Sequence, residues 1–116
     1  MDLSTTAIDA LVGKVRFNDA GLVAAIAQDA ENGDVLMMAW MNEASLRETL
    51  ETGRACYWSR SRQQFWRKGD TSGHTQTVHD LLVDCDGDTL LMKITQVGAA
   101  CHTGERTCFF TSVKQL

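Results

Sequence analysis

The sequence predicts an α+β protein, mostly β, with one clear helix at about residues 42–52. Three observations predict it. Asn42 to Gly53 carries agreeing helix start and stop signals. Two reversal pairs, Asn32-Gly33 and Asp86-Gly87, each lie between apolar runs of strand length. Further runs favour extended structure, such as Cys56-Tyr57-Trp58, and no proline interrupts any of them.

Taken in order, Ser4 or Thr5 can cap a short helix over residues 4–12, where Ala7, Ile8, Leu11 and Val12 form an apolar stripe. Phe17 to Gly21 reads as a turn. Leu22–Gln28 and Val35–Trp40 read as a β-hairpin reversed at Asn32-Gly33. Asn42 is a good N-cap, and Glu43 sets negative charge against the positive end of the helix dipole. Met41 and Leu46 have the spacing of a hydrophobic staple, Leu46 and Leu50 share a face, and Gly53 is placed to end the helix in the left-handed conformation. Ala55–Arg60 reads as a strand, and Gln63–Thr71 as a loop or short strand before a Ser/Gly-rich turn. Thr75–Val83 and Thr89–Val97 are strands joined at Asp86-Gly87, and Phe109–Val113 is expected to form a last strand.

A chain of 116 residues with 44% hydrophobic and 22% charged residues fits one soluble domain over residues 1–116. No apolar run approaches the ~20 residues of a membrane span. The N-terminus has no basic stretch followed by an apolar block, so no signal peptide is expected. Four cysteines in that setting point to a reducing compartment, and a cytoplasmic location is expected. A net charge of −4 argues against broad nucleic-acid binding. Yet Arg54, Arg60, Arg62, Arg67 and Lys68 occur between Glu51 and Asp70 with no acid among them. Such a segment suits a small anionic ligand such as a phosphate ester, and equally a solvated face.

The chemistry concentrates between Asp84 and Cys108. Asp84, Asp86 and Asp88 alternate around a reversal, and their hard oxygens suit Mg²⁺ or Ca²⁺. They are not an EF-hand: counting from Asp84, Thr89 stands where that loop needs glycine and Thr95 where it needs glutamate. Standing alone, they also fit a solvent-exposed hairpin. Cys101 and Cys108 are too far apart in sequence for the short knuckle of structural zinc sites, and a free cysteine is often a small buried hydrophobe. Cys85, set among aspartates, adds a third thiol. Three thiolates would leave tetrahedral zinc one position for water, as catalytic zinc requires. Cys56 is assigned a structural role. His102 adjoins Cys101 and is placed to act as a base, or simply to pack. His74 and His79 have no supporting pattern. Trp58 and Trp66 suit a core position or a place against a flat heterocycle.

Several blocks together resemble phosphoribosyl-AMP cyclohydrolases. They are Gly21-Leu22-Val23 with Gln28-Asp29, Val35 to Asn42, Trp58-Ser59-Arg60-Ser61-Arg62, Trp66-Arg67-Lys68-Gly69 with Thr71-Ser72-Gly73, Asp84 to Asp88, and Ala100 to Gly104 through Cys108-Phe109. Ala24 departs from a frequent proline and Cys56 from a frequent histidine. The resemblance implies a homodimer with a folded mixed sheet of pseudo-barrel form. It implies Mg²⁺ at Asp84, Asp86 and Asp88, and Zn²⁺ held by Cys85 of one subunit with Cys101 and Cys108 of the other. The implied reaction, a step of histidine biosynthesis, is hydrolytic opening of the adenine ring of phosphoribosyl-AMP between N1 and C6. His102 is the proposed base, Arg60, Lys68 and the backbone around Ser72 and Gly73 are the phosphate candidates, and Trp66 is a further substrate contact. Two rival readings stand beside it. A base deaminase would carry His-x-Glu and Pro-Cys-x-x-Cys motifs, and the chain has no proline. A non-enzymatic zinc protein would close its site with four ligands.

Overall fold

In a computed structural model that describes all 116 residues, two α-helices and six strands follow the order α1 (Thr5–Val12), β1 (Val23–Asp29), β2 (Val35–Met41), α2 (Glu43–Thr52), β3 (Cys56–Ser59), β4 (Gln64–Arg67), β5 (Gln76–Val83) and β6 (Thr89–Gln96). Four strands form a mixed sheet in the order β2-β1-β6-β5. The β1–β2 and β5–β6 neighbours are the antiparallel hairpins expected from sequence, and β1 pairs with β6 in parallel. β3 and β4 make a separate two-stranded ribbon. The four-stranded sheet is open in the single chain, with β2 and β5 at its edges, so the pseudo-barrel expectation is not met within one copy. No helix is long and apolar enough to cross a membrane.

Local chemistry explains the helices. The Ser4 hydroxyl accepts from the Ala7 N–H and caps α1. Asn42 and Ser45 form a reciprocal capping box at α2, and Gly53 ends it at φ 73°. The α2 face carrying Leu46 and Leu50 is buried against the sheet side of the core, each leucine contributing about 2 kcal/mol of hydrophobic stabilisation. On the same face the buried Thr49 hydroxyl takes the Cys56 N–H at 3.0 Å and so fixes the start of β3 to the helix.

Strand alternation fills the core. Val23, Ala25 and Ala27 of β1 and Leu90, Met92 and Ile94 of β6 all point inward. Beneath them the buried Tyr57 hydroxyl donates to Gln76, whose amide reaches Gln96, so the ribbon, β5 and β6 share one satisfied polar chain.

The expected strand at Phe109–Val113 is absent. A run of β-favouring residues forms a strand only where an edge is offered. Here the last ladder-like contact is the Cys108 N–H to the Leu36 carbonyl at 2.7 Å. Beyond it Phe109 and Phe110 are 63% and 47% exposed, and the tail ends in a short 3₁₀ turn at Val113–Gln115.

Candidate active site

The stretch from Ala100 to Cys108 folds back on itself. The Ala100 N–H donates to Arg106 and the Cys101 N–H to Glu105, closing a small loop. The Arg106 guanidinium spans Asp29 and Asp34, both at 2.9 Å, and fastens that loop to the β1–β2 turn. The Thr107 hydroxyl donates to Val35 and Leu36 at the start of β2. These anchors bring the Cys101 and Cys108 thiols near enough to influence each other's ionisation, despite a sequence spacing that gave no metal signature. The Thr103 hydroxyl donates to the Cys101 sulfur at 3.1 Å and, with the Thr103 N–H, holds that thiol's pKa below the ordinary range. Burial pushes Cys108 the other way. The pair thus offers one sulfur whose thiolate is favoured beside a second sulfur, a soft donor set that fits zinc.

A cleft of about 500 Å³ opens beside this pair. Cys101 and His102 line one wall, and Trp66, Lys68, Ser72 and His74 line the other. The loop from Lys68 to Thr75 shapes that wall. Gly69 sits at φ 88°, and a Cβ there would fall 2.5 Å from the Thr75 nitrogen and 2.6 Å from the His74 carbonyl carbon. Only glycine satisfies both demands. Gly69→Ala is therefore expected to cost about 2–4 kcal/mol, from left-handed strain plus a backbone clash. Gly73→Ala at φ 80° meets nothing within 4 Å and should cost only about 1 kcal/mol. Denaturant unfolding of the two variants checks the difference, and equal losses would contradict the close approach at Gly69.

Asp84, Asp86 and Asp88 present ligand oxygens within 4.8 Å of one another, all exposed on the β5–β6 turn. Burial works against ionisation of Asp84, but hydrogen bonds from Asp88 and from the Thr89 N–H hold its pKa below the usual carboxylate range. Sharing hydrogen bonds with Asp86 and Asp84 raises that of Asp88. The set fits a hard divalent cation by donor type. The turn is braced by the Arg16 N–H, which donates to Gly87 at 2.7 Å, and Lys14 and Arg16 line a small pocket with Asp84, Cys85 and Asp86.

Cys85 does not join the other thiols. It is exposed at the start of β6, whereas the Ala100–Cys108 loop follows the end of β6. That strand is eight residues long, a separation of roughly 23 Å at ~3.3 Å per residue. No group of three metal-ligating side chains in the chain contains a cysteine. Cys56 is buried away from all of them, its thiol pushed up to about 12 by burial and then by Glu48. It suits the structural role expected for it.

Of the phosphate candidates, Arg60 lies outside the cleft. It stacks 5.2 Å over the Trp40 ring in a neighbouring groove that shares Trp66. The Gly73 N–H is taken by Gly69, and the Ser72 hydroxyl accepts from the His74 N–H. The Lys68 ammonium is buried and donates to the Ala100 carbonyl at 2.6 Å. Arg67 is held in a two-pronged pair by Glu48, both contacts at 2.8 Å. Arg62 lines the cleft with no carboxylate partner; the sequence places it in a basic run and in a block of the family resemblance but not among the phosphate candidates. His74 is the other residue that sequence reasoning passed over. Its ring lies against Gly98, a contact between two segments far apart in the chain that no local pattern announces.

Comparison with known proteins adds an independent line. The family model described as phosphoribosyl-AMP cyclohydrolase matches residues 37–110. A protein of that name from Corynebacterium jeikeium is 62% identical over 109 residues, covering 93% of this chain and 86% of the relative. One from Bordetella petrii is 65% identical over 102 residues, covering 87% and 76%. One from Micrococcus luteus is 63% identical over 107 residues, covering 92% and 85%.

Proposed function

Since the chain belongs to the phosphoribosyl-AMP cyclohydrolase family and is an enzyme, we propose that it opens the adenine ring of phosphoribosyl-AMP by zinc-dependent hydrolysis of the N1–C6 bond, a cytoplasmic step of histidine biosynthesis. The observation that carries this reading is the cleft, in which Trp66, Lys68 and Ser72 from one stretch of chain meet Cys101 and His102 from another. Cys101 and Cys108 would hold the zinc with Cys85 of a second copy, and Asp84, Asp86 and Asp88 would hold magnesium. The distance between the two ends of β6 supports a homodimer, because one chain cannot bring its own Cys85 to its own Cys101.

Zinc, when bound, supplies Lewis acidity that brings the pKa of a coordinated water towards neutrality. The remaining work falls to side chains. Trp66 has an apolar face for the purine, and Arg62 a guanidinium with no carboxylate partner for a phosphate. The ribosyl group on N1 leaves C6 electron-poor, and the water oxygen adds there. His102, exposed on the cleft wall, takes the water proton and returns it to N1 as the C6–N1 bond breaks. The exocyclic nitrogen and the added oxygen then form the carboxamide on the imidazole, and N1 becomes part of the formimino group.

The test is the absorbance change on phosphoribosyl-AMP, measured with zinc-loaded protein and again after chelation. Turnover is expected on zinc and its loss on chelation. No turnover by metal-loaded protein would sink the reading.

A further inference from the structure

Lys68 stands out among the charged residues. It is 8% exposed, it is absent from every ion pair of the chain, and no carboxylate lies within 4.0 Å of its ammonium. A buried cation without a counter-charge is costly. Its contacts are the Ala100 carbonyl at 2.6 Å and the Trp66 ring at 5.1 Å. Ala100 immediately precedes Cys101. Burial disfavours the charged ammonium, and the groups that favour it are Cys108 and Cys101. With no carboxylate within 4.0 Å, and with Ala100 binding the ammonium next to Cys101, the lysine faces the loop that carries the sulfurs.

We propose that Lys68 is a positioning residue of the thiolate metal centre: its ammonium ties down the carbonyl next to Cys101 and sets a fixed positive charge against Cys101 and Cys108, instead of gripping a substrate phosphate. The proposal rests on the zinc reading above. Three thiolates and one Zn²⁺ leave a net negative charge in a partly buried place, and one lysine cancels it. The same hydrogen bond orients the loop that carries the first sulfur. The cation–π contact with Trp66 holds the ammonium in place from the other side. A phosphate would have to break the Ala100 contact to reach this group, whereas Arg62 needs no such exchange.

Three substitutions separate charge from tether. Lys68→Gln keeps a donor for Ala100 and removes the charge, Lys68→Arg keeps both, and Lys68→Met removes both. Zinc affinity is read by competition with a chromophoric chelator, and KM for phosphoribosyl-AMP at saturating zinc. The expected result is a loss of zinc affinity of about 10- to 100-fold in the Gln and Met variants, the scale for groups that support metal ligands. Lys68→Arg should hold affinity near wild type, and KM should stay within about threefold throughout. Wild-type zinc affinity in Lys68→Gln would overturn the proposal, as would a KM increase with zinc binding unmoved. If Lys68→Met does not fold, the comparison of Gln with Arg decides. A wild-type protein that takes up no zinc would remove the zinc reading itself, a result distinct from any difference among the variants.

Discussion

Cys85→Ala and Cys101→Ala chains, each inactive alone, are expected to regain activity when mixed. Each substitution removes one sulfur from the proposed zinc site, and each should lower turnover by on the order of 10³-fold or more, because the water then keeps a pKa far above neutrality. The thiols sit at opposite ends of β6, so a site with all three sulfurs would draw Cys85 from one copy and Cys101 with Cys108 from another. A hybrid pair then contains one site with all three sulfurs and one site lacking two. Random assortment of equal amounts gives about a quarter of wild-type activity, since half the pairs are hybrids with one working site of two. Native mass spectrometry would establish that hybrids form. Hybrids with no activity would eliminate the shared site, and activity in Cys85→Ala alone would remove that residue from the ligand set.

His102→Ala should lower kcat by about 10²- to 10⁴-fold, the usual worth of a positioned base. The residue lines the cleft next to Cys101 and is exposed there, so it is free to face a bound ring. Zinc content should be unchanged, which separates a proton-transfer role from a ligand role. His74 shares the cleft, but its ring is packed on Gly98 and its loop is fixed by Gly69. His74→Ala is the matched control. If it lowers kcat on that scale and His102→Ala does not, the base is His74. If His102→Ala loses zinc and turnover together, His102 is a ligand or a support.

What the sequence made legible was local. The α2 helix was readable because its cap, staple and terminating glycine lie within a dozen residues and all agree. Both hairpins were readable because their turns lie between the strands they join. The Asp84, Asp86 and Asp88 cluster was readable because alternation around one turn puts the three side chains together whatever the rest of the chain does. The thiol pair was different. Cys101 meets Cys108 because Arg106 reaches back to Asp29 and Asp34, and no spacing rule encodes that reach. Lys68 looked like one more member of a basic run, and its burial depends on a loop that returns some thirty residues later. The tail at Phe109–Val113 has the composition of a strand, but its pairing with the edge strand β2 stops at Cys108 and its side chains stay exposed, so propensity alone misled.

The central pairing of the sheet sets a schedule for biosynthesis. β1 leaves the ribosome well before its parallel neighbour β6, which follows it in the chain after four other strands and a helix. Until then one side of β1 has no ladder partner, and the nascent chain carries a naked row of amides and carbonyls. The sulfur-bearing loop emerges later still and is fastened to residues at the end of that same strand. A chain stalled before β6 would therefore lack the loop that carries Cys101 and Cys108 and would be prone to pair with its neighbours.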